Sequence, residues 1–346
     1  MVVCFGVVWV VCILVGCVLS YPAADKRPFF TPEIYDRLVY FSKACALTSC
    51  ITRDQLSTGK TLYDNGCPKH IRFCNDLEEN PTADRTKISM VLAAQRGELG
   101  TGYVIVDYVR EVVIMAFRSS TTTQDWISDF TTLPIDYEPV SKEDYEELIE
   151  KGEIRECANC KLHRGFHRFT ETLSREFLDR MEQILERYPN YKTVVIGHSL
   201  GGAMASIAAI ELRLKGYHPM VLMYAPPKIF NSEMKEWVDE LFETREIHEQ
   251  IMESGVMKFN KGFFRVVHAQ DYIPMIPPFF ESAGVEIFIN KREIPHTIDD
   301  LEYRGIYNIP VAEMTIRDNM NKLARKWLHT YEHQNYFITL MGCKGF

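Results

Sequence analysis

The sequence predicts an α/β fold with a mainly parallel central sheet, on three observations. Short β-branched and apolar runs alternate with longer helical patterns, and each run ends in a polar loop. One run, Thr193-Val194-Val195-Ile196, leads straight into Gly197-His198-Ser199-Leu200-Gly201 and then an Ala-rich helical stretch from Ala203 to Lys215. Another, Phe264 to His268, delivers Ala269-Gln270-Asp271 onto a loop. Sheets of this kind carry their reactive groups on loops at the carboxyl ends of the strands.

The Gly-x-Ser-x-Gly segment is the signature of a nucleophile elbow when a strand precedes it and a helix follows. A turn that tight leaves no room for a Cβ at Gly197 or Gly201. It would lift the Ser199 hydroxyl to where a base and a substrate both reach it. The Leu200 N–H, opening the helix, would then point at a developing oxyanion. A chance Gly/Ser turn is the competing reading, and the strand and helix on either side weigh against it.

The chain has 346 residues, of which 46% are hydrophobic and 25% charged, an ordinary globular composition that fits one large domain. Its net charge of -8 argues against a nucleic-acid partner. Val2 to Leu19 is almost wholly apolar and ends at Val18-Leu19-Ser20, which predicts a signal peptide over 1–20 and a secreted chain. The run is at the short end for a spanning helix, so no transmembrane segment is expected after cleavage. Lys26-Arg27 reads as two exposed charges or a processing site. Residues 21–346 form the expected single domain, with a core from about residue 45 to 345.

Beyond the signal lie Cys45, Cys50, Cys67, Cys74, Cys157, Cys160 and Cys343. Cys67 with Cys74, and Cys157 with Cys160, are close enough for local disulfide loops, which suits an oxidising compartment. Cys157-x-x-Cys160 also fits a redox or zinc half-site, but no second C-x-x-C or H-x-H cluster accompanies it.

Along the chain, Thr31-Pro32-Glu33 starts a helix on which Ile34, Leu38, Phe41 and Cys45 keep helical spacing. Gly102 to Val109 and Glu111 to Phe117 alternate as the strands of a hairpin. Thr123 to Phe130, with Trp126, Ile127 and Phe130, is a short amphipathic piece; core packing and a lid over an apolar cleft are both open readings. Ser141 to Glu156 is acidic and reads as a surface helix or insertion. Phe169, Leu173, Phe177, Met181 and Leu185 step by four along a long helix, and Met220 to Tyr224 is a buried strand.

A serine needs a base and an orienting acid. Asp271 follows a strand as Ser199 does, although a turn aspartate would look the same. His198 sits inside the elbow and cannot reach round to its neighbour. His163, His167 and His268 precede Asp271 and break the Ser, Asp, His order of this fold class. His296, His329 and His333 remain, and pattern alone does not separate them.

From about Cys50 to Cys343 the chain resembles the fungal-type class 3 secreted lipases, which are α/β hydrolases. The resemblance is carried by Phe117-Arg118-Ser119-Ser120, Trp126-Ile127, Cys157-Ala158-Asn159-Cys160 and His163-Arg164-Gly165-Phe166. It continues through Gly197 to Gly202, Tyr224-Ala225-Pro226-Pro227 and Phe264 to His268 with Asp271. Pro274-Met275-Ile276-Pro277-Pro278, His333-Gln334-Asn335-Tyr336-Phe337 and Gly342-Cys343 complete it. The family's glycine in the oxyanion turn is here Ser119, its tyrosine before the first disulfide cysteine is Ser49, and its Pro-Arg-Val-Gly-Asn is Pro227-Lys228-Ile229-Phe230-Asn231.

The resemblance implies His333 as base, Ser120 beside Leu200 as oxyanion donors, and the segment around Trp126 as a short lid helix over the active site. It also implies disulfides Cys50–Cys343, Cys67–Cys74 and Cys157–Cys160, with Cys45 unpaired, and neither a metal nor a cofactor. The expected protein is a secreted, monomeric triacylglycerol lipase working at lipid–water interfaces through Ser199, Asp271 and His333. A phospholipase A1 or feruloyl-type esterase on the same scaffold is the near alternative, and an inactive lipid-binding homologue is the alternative of another class.

Overall fold

The computed structural model describes residues 29–53, 55–93, 100–119, 134–173, 177–306 and 329–346. Residues 1–20, Lys26-Arg27, Ser120 and Trp126 lie outside them. Helix α1 (Pro32–Leu47) begins as its sequence requires, with the Thr31 hydroxyl accepting from the Ile34 N–H. Strands β1 (Thr86–Leu92), β2 (Gly102–Asp107) and β3 (Val112–Phe117) follow as an antiparallel meander. The short strand β4 (Pro134–Asp136) comes next, then α2 (Lys142–Glu150), the surface helix of the acidic stretch, with no buried residue.

Strand β5 (Lys161–His163) pairs with β4 and leads into α3 (Arg164–Thr172). The long helix predicted from Phe169 to Leu185 is described as two pieces, α3 and α4 (Leu178–Arg187), on either side of 174–176. All five of its stepping residues are nonetheless buried. Strand β6 (Lys192–His198), helix α5 (Leu200–Leu214) and β7 (Met220–Tyr224) form the elbow unit. Helices α6 (Ser232–Leu241) and α7 (Thr244–Ser254) precede β8 (Gly262–His268), β9 (Val285–Ile289) and β10 (Leu301–Gly305). Helix α8 (Tyr331–Gln334) is the last helix among the described residues.

The eight-stranded sheet runs β1-β2-β3-β6-β7-β8-β9-β10. It is parallel from β3 to β9 and antiparallel at both edges. Because side chains alternate, its central strands feed two cores. Val104, Val106, Val113, Met115 and Val195 pack against α3, α4 and α5 on one face. Ile105, Ile114, Val194 and Ile196 pack against α1 on the other. Buried Glu211 of α5 accepts from Tyr137 Oη (2.8 Å), Val140 N (3.1 Å) and Ser141 N (2.9 Å), tying the chain after β4 to the elbow helix. Disulfides join Cys50 to Cys343, Cys67 to Cys74 and Cys157 to Cys160, while Cys45 is a buried free thiol.

Candidate active site

Ser199 sits at φ 55°, ψ -124°, a backbone state that ordinary L-residues avoid, between the end of β6 and the start of α5. The glycines on either side explain how the turn closes. A Cβ on Gly197 would lie 2.0 Å from the Gly201 carbonyl oxygen, and one on Gly201 would lie 2.3 Å from that of Phe117. The strained corner is held by the Ser199 N–H, which donates to the Tyr224 carbonyl of β7 at 2.8 Å. At the first position of α5, the Leu200 N–H has no carbonyl one turn back within the helix.

Three predicted residues converge here from three parts of the chain. His333 Nε2 lies 2.9 Å from Ser199 Oγ, and His333 Nδ1 lies 3.0 and 3.1 Å from the two Asp271 oxygens. A carboxylate only accepts, so the imidazole proton belongs on Nδ1 and the Nε2 lone pair faces the serine hydroxyl. Burial alone would raise the Asp271 pKa. His333, the Tyr336 hydroxyl and the Ile273 N–H outweigh it and hold the carboxyl below its ordinary value, so it is ionised.

Other groups, to which the sequence assigns no bracing role, support this arrangement. The Tyr336 hydroxyl donates to Asp271 Oδ2 at 2.6 Å and accepts from the His268 N–H at 3.1 Å. His198, unable to reach Ser199, donates from Nε2 to the His333 carbonyl at 2.8 Å. His296 is buried, and its Nδ1 accepts from the Phe337 N–H at 3.0 Å, where Phe337 takes a left-handed φ of 66°. Its Nε2 lies 3.2 Å from Nε2 of His268. Two of the histidines left open by pattern therefore separate: His333 faces the serine, and His296 braces the turn behind it. His163 accepts from the Gly165 N–H at the start of α3. Among the described residues no cluster of His, Cys, Asp and Glu could hold a metal ion.

This bracing carries a pH dependence. Burial and the neighbouring His333 push His198 down to about 3, and burial and His268 push His296 down to about 4. Both are neutral in the fold, and the unfolded chain binds more protons below the ordinary histidine value of about 6.5. Their contribution to stability is whole above about pH 6.5 and is lost as pH falls toward 4. Buried Glu211 and Glu286, both raised by burial, work in the opposite sense, so the test is a difference. His296→Asn offers an acceptor to the Phe337 N–H but cannot take a proton. The drop in melting temperature between pH 7 and pH 4.5 is expected to be smaller in this variant than in the parent. Equal drops would remove His296 from the account.

A strand–elbow–helix serine with an imidazole facing it, on a mostly parallel sheet covered by helices, defines an α/β hydrolase. The family model for lipase (class 3) matches residues 114–281. The Saccharomyces cerevisiae protein named "Putative lipase LIH1" is 54% identical over 91% of this chain and 96% of its own length. Secreted mono- and diacylglycerol lipase 2 of Gibberella zeae is 26% identical over 74% of this chain and 64% of its own. Among solved structures, Lip2 lipase from Yarrowia lipolytica superposes with a TM-score of 0.67 at 20% identity, covering 92% of this chain and 97% of that one. The chain belongs to the class 3 lipase family, and it is a carboxylic ester hydrolase.

Proposed function

We propose that the protein is a secreted triacylglycerol lipase, built as one catalytic domain over 21–346 behind a signal peptide at 1–20. The observation that carries the reading is the 2.9 Å approach of His333 Nε2 to Ser199 Oγ with Asp271 on the far side of the ring. His333 takes the hydroxyl proton as Ser199 attacks the ester carbonyl, and later returns it to the leaving alcohol. Ionised Asp271 keeps the ring in the required tautomer and stabilises its positive form. The Leu200 N–H, with Ser120 from outside the described residues, stabilises the oxyanion, each such donor being worth about 3–4 kcal/mol. Water then cleaves the acyl-enzyme. The Trp126 segment serves as the lid, and the enzyme works as a monomer on ester lipids at a lipid–water interface.

Relatives named for mono- and diacylglycerol favour a second reading, in which partial glycerides are preferred. Parallel assays on emulsified triacylglycerol, diacylglycerol, phosphatidylcholine and a soluble short-chain ester separate the cases. The expected result is Ser199-dependent turnover that rises sharply once triacylglycerol forms an interface. Faster diacylglycerol turnover would select the second reading. Turnover of phospholipid alone would move the enzyme to the phospholipases, and no turnover by folded protein would leave a lipid-binding homologue.

A further inference from the structure

The loop that leaves Asp271 is chemically unusual. From Tyr272 to Phe280 it contains no charged residue, and the Tyr272 phenol is its one hydrogen-bonding side chain. Its backbone is well seated: the Ile273 N–H donates to Asp271 Oδ1 at 3.0 Å, and the Lys228 N–H donates to the Ile276 carbonyl at 2.8 Å. Lys228 belongs to the chain leaving β7, and Pro226 in that chain packs against the elbow, 3.1 Å from where a Cβ on Gly202 would stand. The loop is thereby fixed at the carboxyl end of the sheet, on the same side as Ser199. Phe280 turns inward, its ring centroid 5.1 Å from that of His163. Phe279 turns outward and is 91% exposed, whereas the next most exposed large apolar side chain among the described residues, Val109, is 57% exposed. Tyr272 and Tyr331, at 38% and 39%, border Asp271 and His333.

A firmly seated loop that holds a phenylalanine almost wholly in water forgoes the burial that usually decides where such a side chain goes. We propose that Phe279, on its uncharged loop, is an anchor that inserts into the surface of a neutral lipid aggregate and docks the active-site end of the sheet there. This inference rests on the lipase reading and adds to it a fixed contact on the loop after Asp271. Charge selects the occupant. Adsorption to anionic membranes relies on clustered lysine and arginine. This loop has none, and the chain's net charge of -8 repels an anionic surface. An uncharged acylglycerol droplet or a zwitterionic bilayer presents neither obstacle, and insertion of the loop desolvates no ion.

Binding is tested without turnover, in full-length Ser199→Ala protein floated with triolein droplets coated in phosphatidylcholine. Adding Phe279→Ser is expected to lower the partition constant onto the droplets, read from flotation over a lipid titration, about tenfold to a hundredfold, the range that follows from losing one buried phenylalanine. Val109→Ser, a comparable deletion on the β2–β3 turn at the opposite end of the sheet, is expected to leave binding unchanged. In a Phe279→Trp protein the added emission is expected to shift to the blue with phosphatidylcholine vesicles and to stay put with phosphatidylglycerol vesicles. A thermal melt equal to the parent's establishes that the Phe279→Ser chain is folded. Unchanged flotation of that folded variant overturns the proposal, as does a stronger shift with the anionic vesicles. Phe279-dependent dimers in lipid-free gel filtration would overturn it too, by assigning the residue to a second copy of the chain. Failure of the parent to hydrolyse any ester would count against the lipase reading alone, because flotation still reads the anchor.

Discussion

Ser199→Ala is expected to reduce ester turnover by a factor on the order of 10⁶, and Asp271→Asn by about 10⁴, with both proteins folded. The two effects have different origins. The alanine removes the attacking oxygen, so only positioning and oxyanion stabilisation remain. The asparagine keeps the shape but can turn its N–H₂ toward His333, which then holds its proton on the nitrogen that faces Ser199. Tyr336→Phe is a graded control. It removes one hydrogen bond of 2.6 Å to an ionised carboxylate while His333 still faces that carboxylate at 3.0 Å, so its loss is expected to be about tenfold to a hundredfold. Single-turnover rates on a soluble ester, with circular dichroism on each variant, provide the check. A Ser199→Ala protein that retains a hundredth of the activity would sink the proposed mechanism.

Arg265→Met is expected to destabilise the fold by roughly 3–5 kcal/mol, a large part of the margin that a protein of this kind possesses. Arg265 of β8 and Glu286 of β9 face each other at 3.0 Å, 3% and 0% exposed, with Arg304 of β10 a further 3.6 Å contact to the same carboxylate. Removing Arg265 leaves that carboxylate buried with much of its compensation gone. Burial already raises the Glu286 pKa against the pull of Arg265 and Arg304, and the variant should raise it more. A raised folded-state carboxyl contributes stability below the unfolded pKa that is lost as pH rises toward the folded one. The deficit should therefore be smaller near pH 4.5 than at pH 8. Arg265→Met with Glu286→Leu should recover most of the loss, since an apolar pair can replace a buried ion pair. Guanidinium unfolding of the single and double variants at both pH values is the measurement. A deficit independent of pH, or a double variant no better than the single, would refute the assignment.

The parts legible in the sequence are those whose causes are local. The elbow is readable because its glycines answer to a steric demand within five residues, and the close carbonyls of Gly201 and Phe117 make that demand concrete. The capped start of α1, the hairpin of β2 and β3, and Asp271 after β8 follow from short-range pattern in the same way. The buried parallel strands were legible as apolar runs, but their order in the sheet was not, because pairing joins segments far apart in the chain.

His296 and His333 show where that reading stops. Both follow Asp271 in sequence, and nothing within a few residues of either separates them. Only the resemblance to a family points to His333. In the fold, Thr330 starts a short helix that points His333 at Ser199, 134 residues away, while His296 meets the Phe337 backbone 41 residues on. Glu211 is similar: on sequence it is one more helical glutamate, and only the return of the chain at Tyr137 to Ser141 makes it a buried acceptor of three hydrogen bonds. The fold class, the strained serine and the supply of acid and base can be read along the chain, because sterics and periodicity act between near neighbours. Which histidine faces the serine, beyond what the family resemblance implies, which groups brace it, and that Phe279 is left in water emerge from the folded chain. Those outcomes depend on distances between distant segments, which no local pattern encodes.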